Sequence, residues 1–287
     1  MSFLSRASAV TCTAMALLVA PAHAITKNWV VDNEHPFVGL VVFYDASGEF
    51  SHRCSGSLIS PTKFVTAGHC SGAITGATSA RVYFQQDAGA NFDPVTQVDL
   101  VSGYPESCAP GTLGVVCATS DELYDFDYTG LTIPNTHDVG LVILDQPIFL
   151  AEYATLPQPG VLNALAKTSR NGTQFAVSGY GLTLRVQEHA AISNISFRSR
   201  LMALSTLTNL GNSLTDGFNL QTQGNGSGRG GTCSGDSGGP VFLGDATSNA
   251  IVAVTSFGLN ALCRGTDFGY RLDRQEVLNW INSHGGN

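Results

Sequence analysis

The most informative stretch of the chain is Gly235-Asp236-Ser237-Gly238-Gly239-Pro240. A serine flanked by glycines lies where the backbone can turn tightly and where no side chain crowds its hydroxyl. The backbone N–H groups of Gly235 and Ser237 can then converge on one point and stabilise an oxyanion. The stretch therefore predicts an activated serine, with these two N–H groups as its oxyanion hole.

A histidine and an aspartate lie upstream in contexts that suit the same chemistry. In Thr66-Ala67-Gly68-His69-Cys70, the histidine follows a strand-like run and adjoins a cysteine that can anchor it. In His137-Asp138-Val139-Gly140-Leu141-Val142, the aspartate begins an apolar run, so its carboxylate would be buried and would need a partner. An activated serine needs a neutral imidazole as its base and a carboxylate that orients the imidazole. We therefore predict a catalytic triad of His69, Asp138 and Ser237.

The composition favours many short strands and limits the choice of partner. Charged residues make up 13% of the 287 residues, and the chain contains 32 Gly and 11 Pro, whereas helical bundles are richer in Lys, Glu and Leu. Residues 38–43 and 251–256 are typical of its short β-forming runs, and only residues 274–283 have a helical pattern. The net charge of −8, without a basic run, argues against nucleic acid or an anionic membrane as a partner.

Residues 1–24 are predicted to be a signal peptide. Arg6 supplies a positive start, residues 7–19 are mostly apolar or small, and Ala22-His23-Ala24 has the small-x-small pattern of a cleavage site. The alternative is a membrane anchor, but the apolar run is short for a span. We expect a secreted protein, extracellular or periplasmic, that is free of the membrane once the signal is removed.

Removal of the signal peptide leaves six cysteines: Cys54, Cys70, Cys108, Cys117, Cys233 and Cys263. An even number in an exported chain predicts disulfides, and six cysteines permit 15 pairings. A zinc site is the alternative, but the sequence has neither a Cys-x-x-Cys nor a His-x-x-x-His pair. We therefore expect no metal, and no cofactor motif is evident.

With these motifs in place, the sequence resembles the trypsin-like serine peptidases, which have the chymotrypsin fold. The chain order His, Asp, Ser is that of the family and differs from the order in subtilisins and α/β-hydrolases. Other similar segments are Cys54-Ser55-Gly56-Ser57-Leu58-Ile59, Ser178-Gly179-Tyr180-Gly181 and Ser256-Phe257-Gly258, the last two with Tyr and Phe in place of Trp, and Trp280-Ile281. The resemblance covers nearly the whole mature chain.

The resemblance implies an all-β fold of two antiparallel six-stranded β-barrels, with the active site in the cleft between them and a short C-terminal helix. The peptidase domain would span residues 25–287, with barrels at about 25–158 and about 159–272 and the helix at about 273–284. The implied disulfides are Cys54–Cys70 and Cys233–Cys263, which leaves Cys108 and Cys117 to close a loop of unassigned role.

The resemblance also indicates the substrate-binding residues. The base of the primary pocket falls on Gly231 and neutral Thr232, while the segment Ser256, Phe257 and Gly258 would pair with the substrate backbone and leave the pocket wall open. We therefore expect a neutral pocket that prefers an apolar side chain. Asp267 and Phe268 offer the alternatives: the first would restore basic specificity and the second would shrink the pocket.

Activation in the family requires a new N-terminal amine that pairs with the aspartate before the nucleophile, here Asp236. Cleavage after Ala24 exposes Ile25 directly, so signal removal itself would produce the active enzyme. The alternative is a later cut, before Val30 or Val31.

These observations together predict a secreted, monomeric serine endopeptidase that acts on a protein or peptide substrate through an acyl-enzyme on Ser237. His69 is the general base and acid, and activity should fall as the pH drops through about 6 to 7. One alternative is a catalytically silent binding protein, although no member of the predicted triad is replaced. The other is an esterase or lipase, but there the histidine follows the serine.

Overall fold

The computed structural model describes residues 25–89, 104–105, 107–108, 115–168, 172–188, 191–196, 199–224, 228–261 and 263–285, without the side chains of residues 166–168 and 184–196. The predicted signal peptide, residues 1–24, lies outside this part of the chain. Within it, no helix combines the length and the apolar character needed to cross a membrane.

The first barrel is an antiparallel sheet of seven strands. They are β2 (Val38–Asp45), β3 (Phe50–Leu58), β4 (Lys63–Thr66), β5 (Ala77–Tyr83), β6 (Cys117–Ser120), β7 (Glu122–Asp125) and β8 (Gly140–Ile143). Their spatial order is β6-β5-β2-β3-β4-β8-β7, and the sheet is nearly closed. Every residue of β8 and the first six residues of β2 are buried, which explains their uninterrupted apolar or small character.

The second barrel is a closed ring of six antiparallel strands. They are β9 (Gln174–Gly179), β12 (Leu201–Asn209), β13 (Asn219–Gln223), β14 (Pro240–Leu243), β15 (Ile251–Gly258) and β16 (Thr266–Arg271). Strand β12 pairs with both β13 and β9, and this double pairing closes the ring. Strands β10 (Leu182–Glu188) and β11 (Ala191–Ser196) form a separate hairpin. The prediction of two antiparallel barrels is confirmed; the second barrel has the six predicted strands, whereas the first has seven, because the short strands β6 and β7 lie at the two ends of its sheet.

Within the described residues, three helices and one 3-10 turn accompany the barrels. Helix α1 (Gly68–Ser71) and the turn Ala73–Thr75 follow β4, helix α2 (Val161–Thr168) precedes β9, and helix α3 (Gln275–Ser283) ends the described chain. Helix α3 is the predicted C-terminal helix, and it buries Val277 and Ile281. The sequence did not predict α2, because Pro157, Pro159 and Gly160 indicated only a crossing between the two halves.

The segment before the first barrel lies on the second barrel. Strand β1 (Val30–Val31) pairs with the edge of β12, and Thr26 exchanges backbone hydrogen bonds of 2.9 and 3.0 Å with Gly231. The predicted N-terminal barrel of residues 25–158 is corrected accordingly, since its first strand begins at Val38. Pairing between residues some two hundred positions apart leaves no local signal in a sequence.

A buried arginine joins the two barrels. The guanidinium of Arg200 donates to the carbonyl oxygens of Asp32 (3.0 Å), Val38 (3.1 Å) and Phe84 (3.2 Å), and also to the hydroxyl of Tyr180 (3.2 Å). These acceptors come from both barrels and from the segment that precedes them. Because a buried cation is costly unless its donors are satisfied, this network holds the barrels in one relative position.

The three disulfides have the pairing that the resemblance implied. Cys54–Cys70 links β3 to α1. Cys233–Cys263 joins residues that are 30 positions apart in the sequence, and Cys108–Cys117 joins residues that are 9 positions apart.

Candidate active site

The structure brings His69 and Asp138 into direct contact. His69 lies in α1, immediately after β4, and Asp138 lies just before β8, the strand that pairs with β4. The Nδ1 atom of His69 lies 2.9 and 3.1 Å from the two carboxylate oxygens, and the backbone N–H of His69 donates to Oδ1 at 2.8 Å. The carboxylate therefore fixes both the ring and the backbone of the histidine, and Nε2 remains as the nitrogen that can accept a proton.

A third group supports the aspartate. The hydroxyl of Ser256 donates to Oδ2 of Asp138 at 2.5 Å. A register shift between Thr255 and Phe257 in the β15–β16 ladder makes Ser256 an extra residue at that point, and such bulges redirect side chains. The sequence placed Ser256 only in the substrate-binding strand, so this contact was not predicted.

The surroundings of His69 change its pKa in opposing directions. Burial lowers the pKa, whereas the negative charge of Asp138 and the hydrogen bond to it raise the pKa, and the net effect is a pKa above the usual 6.5. The side chain of His69 is 28% exposed and that of Asp138 only 1%. A solvent-reachable imidazole held by a buried carboxylate is suited to accept and return a proton.

The loop that carries Ser237 has a backbone that only glycine permits at two points. Gly235 and Gly238 have φ values of +93° and +77°, and a Cβ at Gly238 would lie 2.1 Å from the hydroxyl of Thr66. Neither the N–H of Gly235 nor that of Ser237 donates to any residue within the described ranges. Both predicted oxyanion donors therefore remain available.

Ser237 and His69 are not hydrogen-bonded to each other in the described part of the chain. Such contacts in serine enzymes are often long until a substrate binds and tighten in the complex. The neighbouring carbonyls of the loop are nevertheless held firmly, as the Ser237 oxygen accepts from the backbone N–H of Ser55 at 2.8 Å.

A pocket beside Ser237 contains a carboxylate. Its lining includes Thr232, Thr255, Ser256, Phe257, Gly258 and Asp267. Oδ2 of Asp267 accepts a hydrogen bond from the N–H of Thr232 at 3.0 Å. A Cβ at Gly231 would lie 2.5 Å from that oxygen, so the glycine at the predicted pocket base provides the space that Asp267 occupies.

The prediction of a pocket with neutral lining is corrected on this point. Burial raises the pKa of Asp267 to about 6, and the hydrogen bonds from Thr232 oppose that rise only in part. The group is therefore mostly ionised at neutral pH. Phe268 does not line the pocket; it stacks on Phe257 with ring centroids 4.4 Å apart, so it does not reduce the pocket.

A fully buried carboxylate, that of Asp236, lies next to the nucleophile. Asp236 accepts hydrogen bonds from the N–H groups of Gly181 (2.8 Å) and Cys233 (2.9 Å). None of the ion pairs among the described residues involves it, and burial raises its pKa to about 7. Ile25 is fully buried in the apolar core of the second barrel.

The family of the chain follows from a comparison with known protein families. A family model described as Trypsin matches residues 24–281. The chain belongs to the trypsin family. This trypsin-family chain is a serine endopeptidase.

Two curated relatives and one solved structure illustrate the similarity. The trypsin-family chain is 27% identical over 258 residues to phenoloxidase-activating factor 3 of Holotrichia diomphalia, covering 88% of this chain and 69% of that protein. It is 28% identical over 239 residues to serine protease ea of Drosophila melanogaster, covering 79% and 58% respectively. HL collagenase has the same fold, with a TM-score of 0.59 at 16% identity, covering 91% of this chain and 96% of that one. The second relative is considerably longer than the region it shares with this chain.

One group of side chains in this trypsin-family site has the spacing of a metal centre. Single ligand atoms of Cys54, His69 and Cys70 all lie within 4.8 Å of one another. The two sulfurs form a disulfide, however, and metal binding by cysteine requires free thiolates. The cluster therefore serves to anchor the helix that carries His69.

Proposed function

We propose that the chain hydrolyses peptide bonds through an acyl-enzyme on Ser237, with His69 as general base and acid and Asp138 as the group that orients it. The contact between His69 and Asp138 carries the proposal. Because the carboxylate engages Nδ1, that nitrogen keeps its proton, and Nε2 takes the proton of the serine hydroxyl as Oγ attacks the substrate carbonyl carbon. Nε2 then returns the proton to the leaving amine, and water repeats the sequence to release the acid.

The negative oxygen of the tetrahedral intermediate would be stabilised by the N–H groups of Gly235 and Ser237. Neither N–H group has another acceptor among the described residues, which supports this role. Loss of one such donor typically lowers the rate about a hundred- to a thousandfold.

The primary pocket would discriminate between substrates according to the charge of Asp267. Above a pH of about 6, its carboxylate favours a lysine or arginine side chain, because a buried anion is stabilised by a cationic partner. Below that pH Asp267 carries no charge, and the expected preference for an apolar side chain applies. The backbone of the strand formed by Ser256, Phe257 and Gly258 would pair with the substrate.

Activation would follow from cleavage after Ala24. Ile25 already lies buried beside the loop that leads to Asp236, through the pairing of Thr26 with Gly231. A free amine at Ile25 would supply the cation that Asp236 lacks among its described neighbours. We also propose that the protein is secreted through its signal peptide, for which the three disulfides give support, and that it acts as a monomer.

Labelling with a fluorophosphonate probe tests the proposal. We expect the processed wild-type protein to be labelled and a Ser237→Ala variant not to be labelled. Cleavage of peptide amides, with the same dependence on Ser237, separates a peptidase from an esterase. Folded, processed protein that is neither labelled nor able to cleave peptides would contradict the proposal and would favour a binding protein.

A further inference from the structure

The side chain of Ser55 lies between the two barrels, against the nucleophile loop. Ser55 is a residue of β3 in the first barrel and is fully buried. Its hydroxyl donates to the carbonyl oxygen of Gly235 at 2.8 Å and accepts from the N–H of Tyr180 at 2.9 Å. Both of these partners belong to the second half of the chain, 180 and 125 positions away.

The backbone of Ser55 is bound in the same place. Its N–H donates to the carbonyl oxygen of Ser237 at 2.8 Å, and its own carbonyl accepts from the hydroxyl of Thr66 at 2.8 Å. Ser55 thus holds two carbonyls of the nucleophile loop, those of Gly235 and Ser237. The peptide that carries the Ser237 N–H lies between these two carbonyls.

The loop needs such a restraint because Gly235 is conformationally free. Glycine at φ +93° has many alternative conformations of similar energy. The peptide before Gly235 is held by the first residue of β10, Leu182, whose N–H donates to the Ser234 oxygen at 2.8 Å. The peptide after it is held by the Ser55 hydroxyl. Together the two contacts restrict the rotation of Gly235 from both sides.

We propose that Ser55 is a positioning residue for the oxyanion hole, acting through the carbonyls of Gly235 and Ser237. Ser55 touches neither the substrate nor a reacting atom. Its hydroxyl selects the loop conformation in which the two N–H groups are presented to the tetrahedral intermediate. The inference rests on the proposed peptidase activity. It adds that a residue of the first barrel orients the oxyanion hole of the second.

The chain provides a matched control on the same strand. Ser57 lies two residues further along β3, on the same face, and is also fully buried. Its hydroxyl has no hydrogen-bond partner among the described residues. Ser55→Ala and Ser57→Ala therefore remove the same atom from the same strand, but only the first removes a hydrogen bond to the nucleophile loop, that to the Gly235 oxygen.

Kinetics with transition-state and ground-state ligands test the inference. For Ser55→Ala, with rates normalised to titrated active sites, we expect kcat to fall about tenfold at unchanged KM. The Ki of a peptide aldehyde, which forms a tetrahedral adduct with Ser237, should rise by a similar factor, whereas the Ki of the corresponding peptide alcohol should not change. Ser57→Ala should match the wild type in all four quantities. If Ser55→Ala does not fold, Ser55→Gly, which also lacks the hydroxyl, has the same expectation.

Hydrogen exchange of the segment 233–239, followed by mass spectrometry, gives a readout that does not depend on activity. We expect faster exchange in Ser55→Ala than in Ser57→Ala. A kcat and an aldehyde Ki within twofold of the wild type would overturn the inference. If the wild type itself is inactive, the proposed function fails, and unchanged exchange would then also overturn the ordering role of Ser55.

Discussion

Replacing Asp267 by asparagine removes the negative charge that this residue gives to the primary pocket and leaves the shape of the pocket almost unchanged. The amide oxygen can still accept from the N–H of Thr232, as the carboxylate does at 3.0 Å. A substrate cation at about 4 Å would interact with the carboxylate by about 4 kcal/mol at an effective dielectric constant of about 20. Desolvation of both charges offsets part of this, and hydrogen bonds to charged groups contribute about 1.5–3 kcal/mol net. We therefore expect kcat/KM for a lysyl substrate to fall by a factor of about 10 to 100.

The comparison that isolates this effect is the ratio of kcat/KM for two substrates that differ only in lysine or norleucine at the cleavage site. Burial raises the pKa of Asp267 to about 6, so the carboxylate gains a proton as the pH falls through that value. The wild-type ratio should decrease by about tenfold per pH unit well below 6 and approach the ratio of Asp267→Asn. Protonation of His69 affects both substrates equally and cancels in the ratio.

A control is provided by Asp245→Asn, which changes an exposed aspartate between β14 and β15 and should leave the ratio unchanged. A wild-type kcat/KM for the lysine substrate that does not exceed that for the norleucine substrate at pH 8, and that does not change in Asp267→Asn, would refute the role given to Asp267. The pocket would then have the apolar preference that Gly231 and Thr232 suggest.

Three further predictions concern the base, the activation aspartate and a disulfide. Because Asp138 keeps the pKa of His69 above 6.5, kcat/KM should fall as the pH drops through that pKa, and a flat profile down to about pH 4 would contradict this. Burial raises the pKa of Asp236 from 3.8 to about 7, so in the uncleaved chain this group stabilises the fold at low pH and the stabilisation is lost as the pH rises through about 7. Asp236→Asn keeps an acceptor for only one of the N–H groups of Gly181 and Cys233, so at pH 8 it should lower Tm by several degrees less in the uncleaved chain than in a chain that begins at Ile25; an equal change in Tm in both would count against the ion pair. Replacing both cysteines of Cys54–Cys70 by alanine should cost about 3 kcal/mol in denaturant unfolding and reduce kcat/KM, whereas removing Cys108–Cys117 should leave kcat/KM unchanged.

Features that depend on a short stretch of chain were predictable from the sequence. The contexts of His69 and Asp138 each lie within six residues, and the structure brings the two side chains together as expected. The C-terminal helix was recognisable from its apolar periodicity alone. The disulfide pairing was not determined by the cysteines themselves and came from the resemblance to the family.

Features that depend on distant strands were not predictable. The sequence offered Asp267 only as an alternative pocket residue. The contact of Ser256 with Asp138 accompanies an extra residue in the β15–β16 ladder, and a register shift of this kind leaves no mark in composition or spacing. The hydrogen bonds of the Ser55 hydroxyl form only where the two barrels pack together. The sequence around Ser55 therefore did not predict them.

The position of residues 25–31 determines how the molecule can be divided into fragments. If the chain were cut near residue 158 and the two pieces separated, β1 would lose its partner β12. The backbone hydrogen bonds between Thr26 and Gly231 would also be lost. The piece beginning at residue 159 would then expose an unpaired strand edge, which favours self-association. Reconstitution from two pieces therefore requires residues 25–31 to be supplied with the second barrel, either as a third peptide or through a circularly permuted chain.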